Sequence, residues 1–234
     1  MNLVELLVLK LIRKIKGDNS YRFNESLLAR DLLIISFRRL AMTCNGFLFC
    51  AVRFRRFQLL FIDKNVQIKH AANLRFLSPL TLGRGTIIDC LSAEGVLFGK
   101  NVSIPENCYI RCTGVVSHLG KGLTIGNNTG LGHNNFINAQ GGVVIGNDVI
   151  IGPNVSMLSE NHKFGSSDKL IRLQGVSRKG INISDNVWIG ANVTILDGVS
   201  IGKGCVIGAH SVVTKSIPDL SVAVGNPCRI IRKR

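Results

Sequence analysis

Acidic residues, aromatic rings and paired cysteines are what this chain has least of. Asp and Glu number 14 against 29 Lys and Arg in 234 residues, which leaves a formal charge of +15. Such an excess seeks phosphate, anionic lipid or acidic substrates. Aromatic residues make up 6% and there is one tryptophan. No nucleic-acid motif accompanies the charge, so a nucleic-acid partner is not expected. The seven cysteines are odd in number and contain no CxxC pair. That favours free thiols over a disulfide framework, as expected in the cytoplasm. The longest apolar run, Leu40 to Val52, is bracketed by Arg39 and Arg53, contains Asn45 and falls short of the ~20 residues of a membrane span. Charges follow rather than precede the first apolar residues, so no secretory signal is expected.

What the chain does have is a period of six. From Ile183 it runs ISDNVW, IGANVT, ILDGVS, IGKGCV, IGAHSV, VTKSI. Ile183, Ile189, Ile195, Ile201, Ile207 and Val213 recur at every sixth place, and Val187, Val193, Val199, Cys205, Ser211 and Ile217 follow four places after each. A helix repeats its apolar residues at three and four, and a strand at two. A period of six fits a solenoid in which each hexapeptide makes one short strand and one turn, three hexapeptides closing a triangular coil. Less regular sixes begin at Ile62, slip by two before Ile145, and fail altogether over 159–180, a polar stretch that opens on Glu160-Asn161-His162. A long irregular insertion in a rigid array reads as functional.

Ahead of the sixes, residues 1–16 suit an amphipathic helix with Val4, Val8, Leu11 and Ile15 on one face, followed by a break at Gly17-Asp18-Asn19-Ser20. Residues 25–60 are apolar and arginine-rich and read as helical. Basic residues here include Lys10, Arg13, Lys14, Lys16, Arg22, Arg30, Arg38, Arg39, Arg53, Arg55 and Arg56, against Glu5, Asp18, Glu25 and Asp31. The segment reads either as the cap that a repeat array needs or as a surface that also rests on anionic lipid.

The motifs NHKF, NVWIGANVTIL, GAHSVVTKSIP and GNPCRIIR resemble those of the hexapeptide-repeat acyltransferases, and within them the sugar O-acetyltransferases: the galactoside and maltose enzymes and those of capsule and O-antigen. The resemblance covers about Ile62 to the C-terminus. It implies an all-β solenoid, a left-handed parallel β-helix over 62–217 with the excursion at 159–180. An N-terminal helical segment occupies 1–61, and a short closing segment, 218–234, lies beside the coenzyme. It also implies acetyl-CoA as co-substrate, no metal, a homotrimer with sites between neighbouring subunits, and a sugar or surface-glycan acceptor. The basic N-terminus would hold the enzyme at the cytoplasmic face of the inner membrane.

Moving an acetyl group from a thioester to a hydroxyl needs a base, and a neutral imidazole in hydrogen-bonding reach can take the proton. Of five histidines, the resemblance assigns that role to His162, at the mouth of the excursion. His70 and His118 sit in poorly matching repeats, while His133 and His210 occupy turn or outward positions. By resemblance Glu160 orients the imidazole, Trp188 lies by the coenzyme sulfur with a donor N–H, and Asn134 contacts the acceptor sugar. Each also has a plain reading: a solvated carboxylate, a ring over a strand edge, a turn asparagine. Gly190, Ala191 and Ala209 match positions lining the pantetheine arm. Thr214, Lys215, Arg229 and Arg232 match positions near the nucleotide phosphates, where Lys and Arg are suited to bind.

An N-acetyltransferase of amino sugars uses the same groove and is the alternative. A metal-dependent hydratase on this scaffold would need three histidines at matching positions, and no such spacing occurs. A non-catalytic scaffold would not need the NHKF loop or the basic closing segment.

Overall fold

The computed structural model describes residues 3–16, 19–24, 26–53 and 56–234, the side chains of 3–5 and 16 excepted. Glu25, Arg55 and the Gly17-Asp18 part of the expected break thus lie outside the described residues, as do the side chains of Val4, Glu5 and Lys16.

From Leu60 onward the chain winds as short parallel strands on three faces, in the order first, second, third within each coil. The second face is a seven-stranded sheet running from Gln67–Lys69 through Tyr109–Arg111, Phe136–Asn138, Ser156–Leu158 and Thr194–Leu196 to Val212–Val213. The third is six-stranded, from Leu74–Phe76 to Ser200–Ile201. The first begins at Leu60–Ile62, passes through Gly130, which bridges Ser103 and Ile150, and continues through Trp188–Ile189 and Val206–Ile207. It closes with Ser221–Val224, against which Arg229–Lys233 folds back antiparallel. The coil is a left-handed parallel β-helix.

The sixfold period explains why these residues wind so. Ile183, Ile189, Ile195, Ile201, Ile207 and Val213 all point inward and are at most 1% exposed. Val187, Val193, Val199, Cys205 and Ser211 fill the space between them. Each fully buried aliphatic side chain contributes roughly 1.5–3 kcal/mol. Corners need a left-handed residue, which asparagine adopts at little cost. Asn107, Asn134, Asn154 and Asn192 take φ of 57°, 58°, 56° and 57° at one corner.

Two helices precede the solenoid, α1 (Leu3–Lys16) and α2 (Ala29–Val52). α2 lies across the open end, burying Leu32, Met42, Gly46 and Cys50. A Cβ on Gly46 would lie 1.8 Å from the Leu60 carbonyl oxygen, so only glycine lets helix and first strand approach. The Asn45 amide donates to the Ile62 carbonyl at 3.0 Å, and Arg38 pairs with Asp63 and Glu106. α2 is also long and apolar enough to cross a membrane by length and composition, which its apolar half alone did not suggest. Among the described side chains of α1, Leu9 is the buried one, and Leu11, expected on the apolar face, is exposed. α1 meets little but α2, so only a narrow stripe of it is covered.

Candidate active site

The corner between the second and third faces is where the chain breaks its period. After Ser156–Leu158 it leaves the solenoid and returns at Ile181–Ile183. The base of this excursion is a short antiparallel ribbon in which Asn161 opposes Ser177 and His162 opposes Val176. The Lys163 amide extends it to the Gly175 carbonyl at 3.0 Å. Farther out, the Gln174 side chain ties the Ser166 and Lys169 backbone together. His162 is exposed on this ribbon, so backbone pairing fixes its place while the ring faces solvent.

Two residues before it, Glu160 is engaged elsewhere. Its Oε2 accepts from Arg178 Nε at 2.6 Å, and its Oε1 accepts from Gln140 Nε2 at 3.1 Å. Arg178 Nη1 also donates to the carbonyls of His118 and Leu119, at 3.3 and 3.1 Å. The carboxylate therefore braces the two arms of the excursion rather than the imidazole, because a guanidinium on the returning arm is a stronger partner. The pair is largely sheltered, with side-chain exposure of 22% for Arg178 and 14% for Glu160.

His118 belongs to a second excursion at the same corner, two coils earlier, between Tyr109–Arg111 and Leu123–Ile125. Sequence reasoning did not single out this loop, Gln140 or Arg178. The interval between the two strands, too long for one hexapeptide, was the available signal.

Thr214 and Lys215 stand at this corner too. They follow Val212–Val213, which stacks on Thr194–Leu196 and so on Ser156–Leu158. Two rungs place them about 10 Å along the edge from the excursion's exit. Both are exposed.

The remaining expected residues lie on the other side of the prism. Trp188 is 55% exposed on the first face, in a row with Ile150, Val206, Val222 and Arg232. Arg229 and Arg232 are exposed on the closing strand. Gly190, Ala191 and Ala209 form the adjoining corner, between the first and second faces. A Cβ on Gly190 would lie 2.6 Å from the Ala209 amide nitrogen, so coil stacking itself demands glycine there. Asn134 stands at this corner as well, its amide donating to Asn154 Oδ1 at 3.2 Å. Its neighbour Asn135 points inward and accepts from the Val155 amide. Trp188 and Lys215 thus do not line one groove within a single chain.

The other histidines and the buried thiols near the solenoid stand as follows. Burial pushes the Cys108 thiol up to about 11 and the Cys112 thiol up to about 12, so both stay protonated and inert. His70 faces Asp89 at 2.9 Å, His118 faces Ser117 Oγ at 3.0 Å, and His210 faces Asn192 at 3.3 Å. His133 is exposed at a stacked corner.

The fold and its interrupted corner define a hexapeptide-repeat solenoid. Residues 180–215 match the bacterial transferase hexapeptide family (six repeats). The chain is 39% identical over 131 residues to a galactoside O-acetyltransferase of Lactococcus lactis, covering 56% of this chain and 62% of that one. It is 46% identical over 115 residues to a Saccharomyces cerevisiae protein assigned as an acetyltransferase, covering 49% and 57%. The chain thus spans about three-fifths of the length of these curated relatives. Among solved structures, a point mutant of AntD, an N-acyltransferase from Bacillus cereus in complex with dTDP and coenzyme A, superposes with a TM-score of 0.55. It shares 21% identity, over 75% of this chain and 81% of that one, a likeness of fold.

Proposed function

We propose that this protein is an acetyl-CoA-dependent O-acetyltransferase acting on a sugar hydroxyl, of a bacterial surface polysaccharide or its precursor, in the cytoplasm. The observation that carries the reading is His162, exposed on a backbone-paired ribbon where an otherwise regular solenoid opens. The similarity to the Lactococcus galactoside O-acetyltransferase supports the acceptor class.

His162 takes the proton of the acceptor hydroxyl as its oxygen attacks the thioester carbonyl. Collapse of the tetrahedral adduct breaks the carbon–sulfur bond. The thiolate leaves with a proton returned from the imidazolium, and the Trp188 N–H is the further donor to that sulfur. Thr214, Lys215, Arg229 and Arg232 hold the nucleotide phosphates. Among the described residues no carboxylate pairs with Lys215, Arg229 or Arg232, which leaves their charge available to an anion. Glu160 and Arg178 keep the ribbon in place.

His162 and Trp188 lie on opposite sides of a filled prism. We therefore assign the site to the junction of neighbouring copies in a homotrimer, one giving the histidine edge and the next the tryptophan face.

Labelled acetyl-CoA supplied to the pure protein with sugars, nucleotide sugars and lipid-linked oligosaccharides tests this. Hydroxyl acetylation that His162→Ala abolishes, with coenzyme binding retained, is the expected result. Full activity of that variant rejects the base assignment, and uptake by amino acceptors alone moves the enzyme to N-acetylation.

A further inference from the structure

α2 carries two stripes, and the solenoid uses one. Leu32, Met42, Gly46 and Cys50 are buried, Gly46 and Cys50 against the first coil. Leu33, Phe37, Leu40, Cys44, Leu48 and Ala51 recur at spacings of three and four along the far side, and all are exposed. Phe37 is 68% exposed and Leu48 61%. At 1.5 Å per residue, the stripe from Leu33 to Ala51 is about 27 Å long. An apolar strip of this length marks an interaction surface.

Charge decides what covers it. Around the strip stand Arg30, Arg53 and Arg56, with Lys10, Arg13 and Lys14 on the neighbouring α1. Among the described side chains before the first strand, Asp31 is the one acid, and it already faces Arg30 at 3.7 Å. A second copy would bring the same cations against these. An anionic surface neutralises them.

The groove between the second half of α2 and the first coil fits the same partner. It measures about 350 Å3, is lined by Leu48, Phe49, Val52, Ile62, Val66 and Ile68, and carries Arg53 at its rim. The Arg53 guanidinium lies over the Phe49 ring, 4.2 Å from its centre. An open, mainly apolar groove beside a cation suits part of an acyl chain with its phosphate headgroup.

The attachments of α2 also fix how it meets a bilayer. Mid-helix, Arg38 pairs with Asp63 and Glu106, and Asn45 bonds the Ile62 carbonyl. A helix tied along its length to a polar solenoid cannot be surrounded by hydrocarbon. It lies in the interface plane with one stripe down.

We propose that the outward stripe of α2 seats the protein on the surface of an anionic lipid bilayer, α2 parallel to the membrane, so that the capped end of the solenoid faces the lipid. Arginine and lysine stems run along the apolar strip and place their charges at the headgroups.

Flotation of the full chain with vesicles tests this, using phosphatidylcholine alone and phosphatidylcholine with about 30% phosphatidylglycerol. The protein is expected to float with the anionic vesicles and to lose most of that binding on raising salt from about 0.1 to 0.5 M. The double variant Phe37→Glu/Leu48→Glu changes two exposed positions and keeps its circular dichroism. Its binding is expected to fall about tenfold or more, while acetyl transfer to a water-soluble sugar is unchanged. Equal flotation of variant and parent overturns the proposal. So does failure of the parent to float, and so does a fall in oligomeric mass of the variant without vesicle binding, which gives the stripe to a second copy. Loss of transfer to soluble sugar in the parent bears only on the catalytic reading.

Discussion

Two corners of one prism behave in opposite ways. Between the first and second faces the chain stacks without interruption: Asn134 bonds Asn154, Asn192 bonds His210, and Gly190 has no room for a Cβ. Between the second and third faces it leaves twice, and the two excursions are bound to each other through Arg178. A corner that stacks tightly cannot move a side chain into solvent without breaking the coil. One that opens can place an imidazole outside a rigid body, which is what proton transfer at a fixed distance requires. On the proposed reading, regularity supplies the frame and interruption supplies the chemistry.

The sharpest way to separate the corners is to disable each. His162→Ala at the open corner is expected to lower kcat by about 10²–10⁴ and to leave the melting temperature within a degree or two; steady-state kinetics with a melting curve reads both. Gly190→Val at the closed corner is expected to do the reverse, costing about 3 kcal/mol in denaturant unfolding because backbone, not a flexible side chain, stands in the way.

Arg178→Ala falls between. It leaves a sheltered Glu160 carboxylate without its cation and is expected to cost about 2 kcal/mol. It also loosens the ribbon, so kcat drops about tenfold. Adding Glu160→Gln to it, which removes the stranded charge, restores most of the stability and little of the rate. If the single variant keeps full rate, the brace has no part in catalysis.

The smallest effect is at the cap. Burial raises the Asp63 pKa, but hydrogen bonds from Arg38 and the Lys64 amide, with Arg38's charge, bring it below its ordinary 3.8. Glu106 is held below its ordinary 4.5 by its own amide and by Arg38. Depressed carboxylates stabilise the folded state above those ordinary values, and that stability is lost as pH falls through the lower folded ones. Arg38 is 57% exposed, so the contribution stays under about 1 kcal/mol. Arg38→Gln is therefore expected to be slightly less stable than the parent near pH 7, with the gap closing below pH 3.8.

Much of the solenoid could be read before the structure, because one rule repeats. A residue such as Ile195 sits at 0% exposure for the same reason as Ile189 and Ile201, and the period names all of them at once. The site was less legible. Glu160 and Arg178 are 18 residues apart across a stretch with no period, so nothing local announces their pairing. Hexapeptide counting did hold one unread signal: Trp188 to Lys215 is about four and a half hexapeptides, hence one and a half coils, which sets them on opposite sides. The double stripe of α2 was hidden too, because Leu40–Val52 taken alone is apolar nearly all round and shows no face.

Mixing two inactive chains tests most directly whether the open corner of one copy works with the tryptophan face of another. Co-expressed His162→Ala and Trp188→Ala chains, each inactive alone, should form mixed trimers in which about a quarter of the sites join an intact histidine to an intact tryptophan. Recovery of acetyl transfer to about that fraction of the parent's rate is the predicted result. No recovery in mixed oligomers whose composition is verified by mass would contradict a site shared between chains.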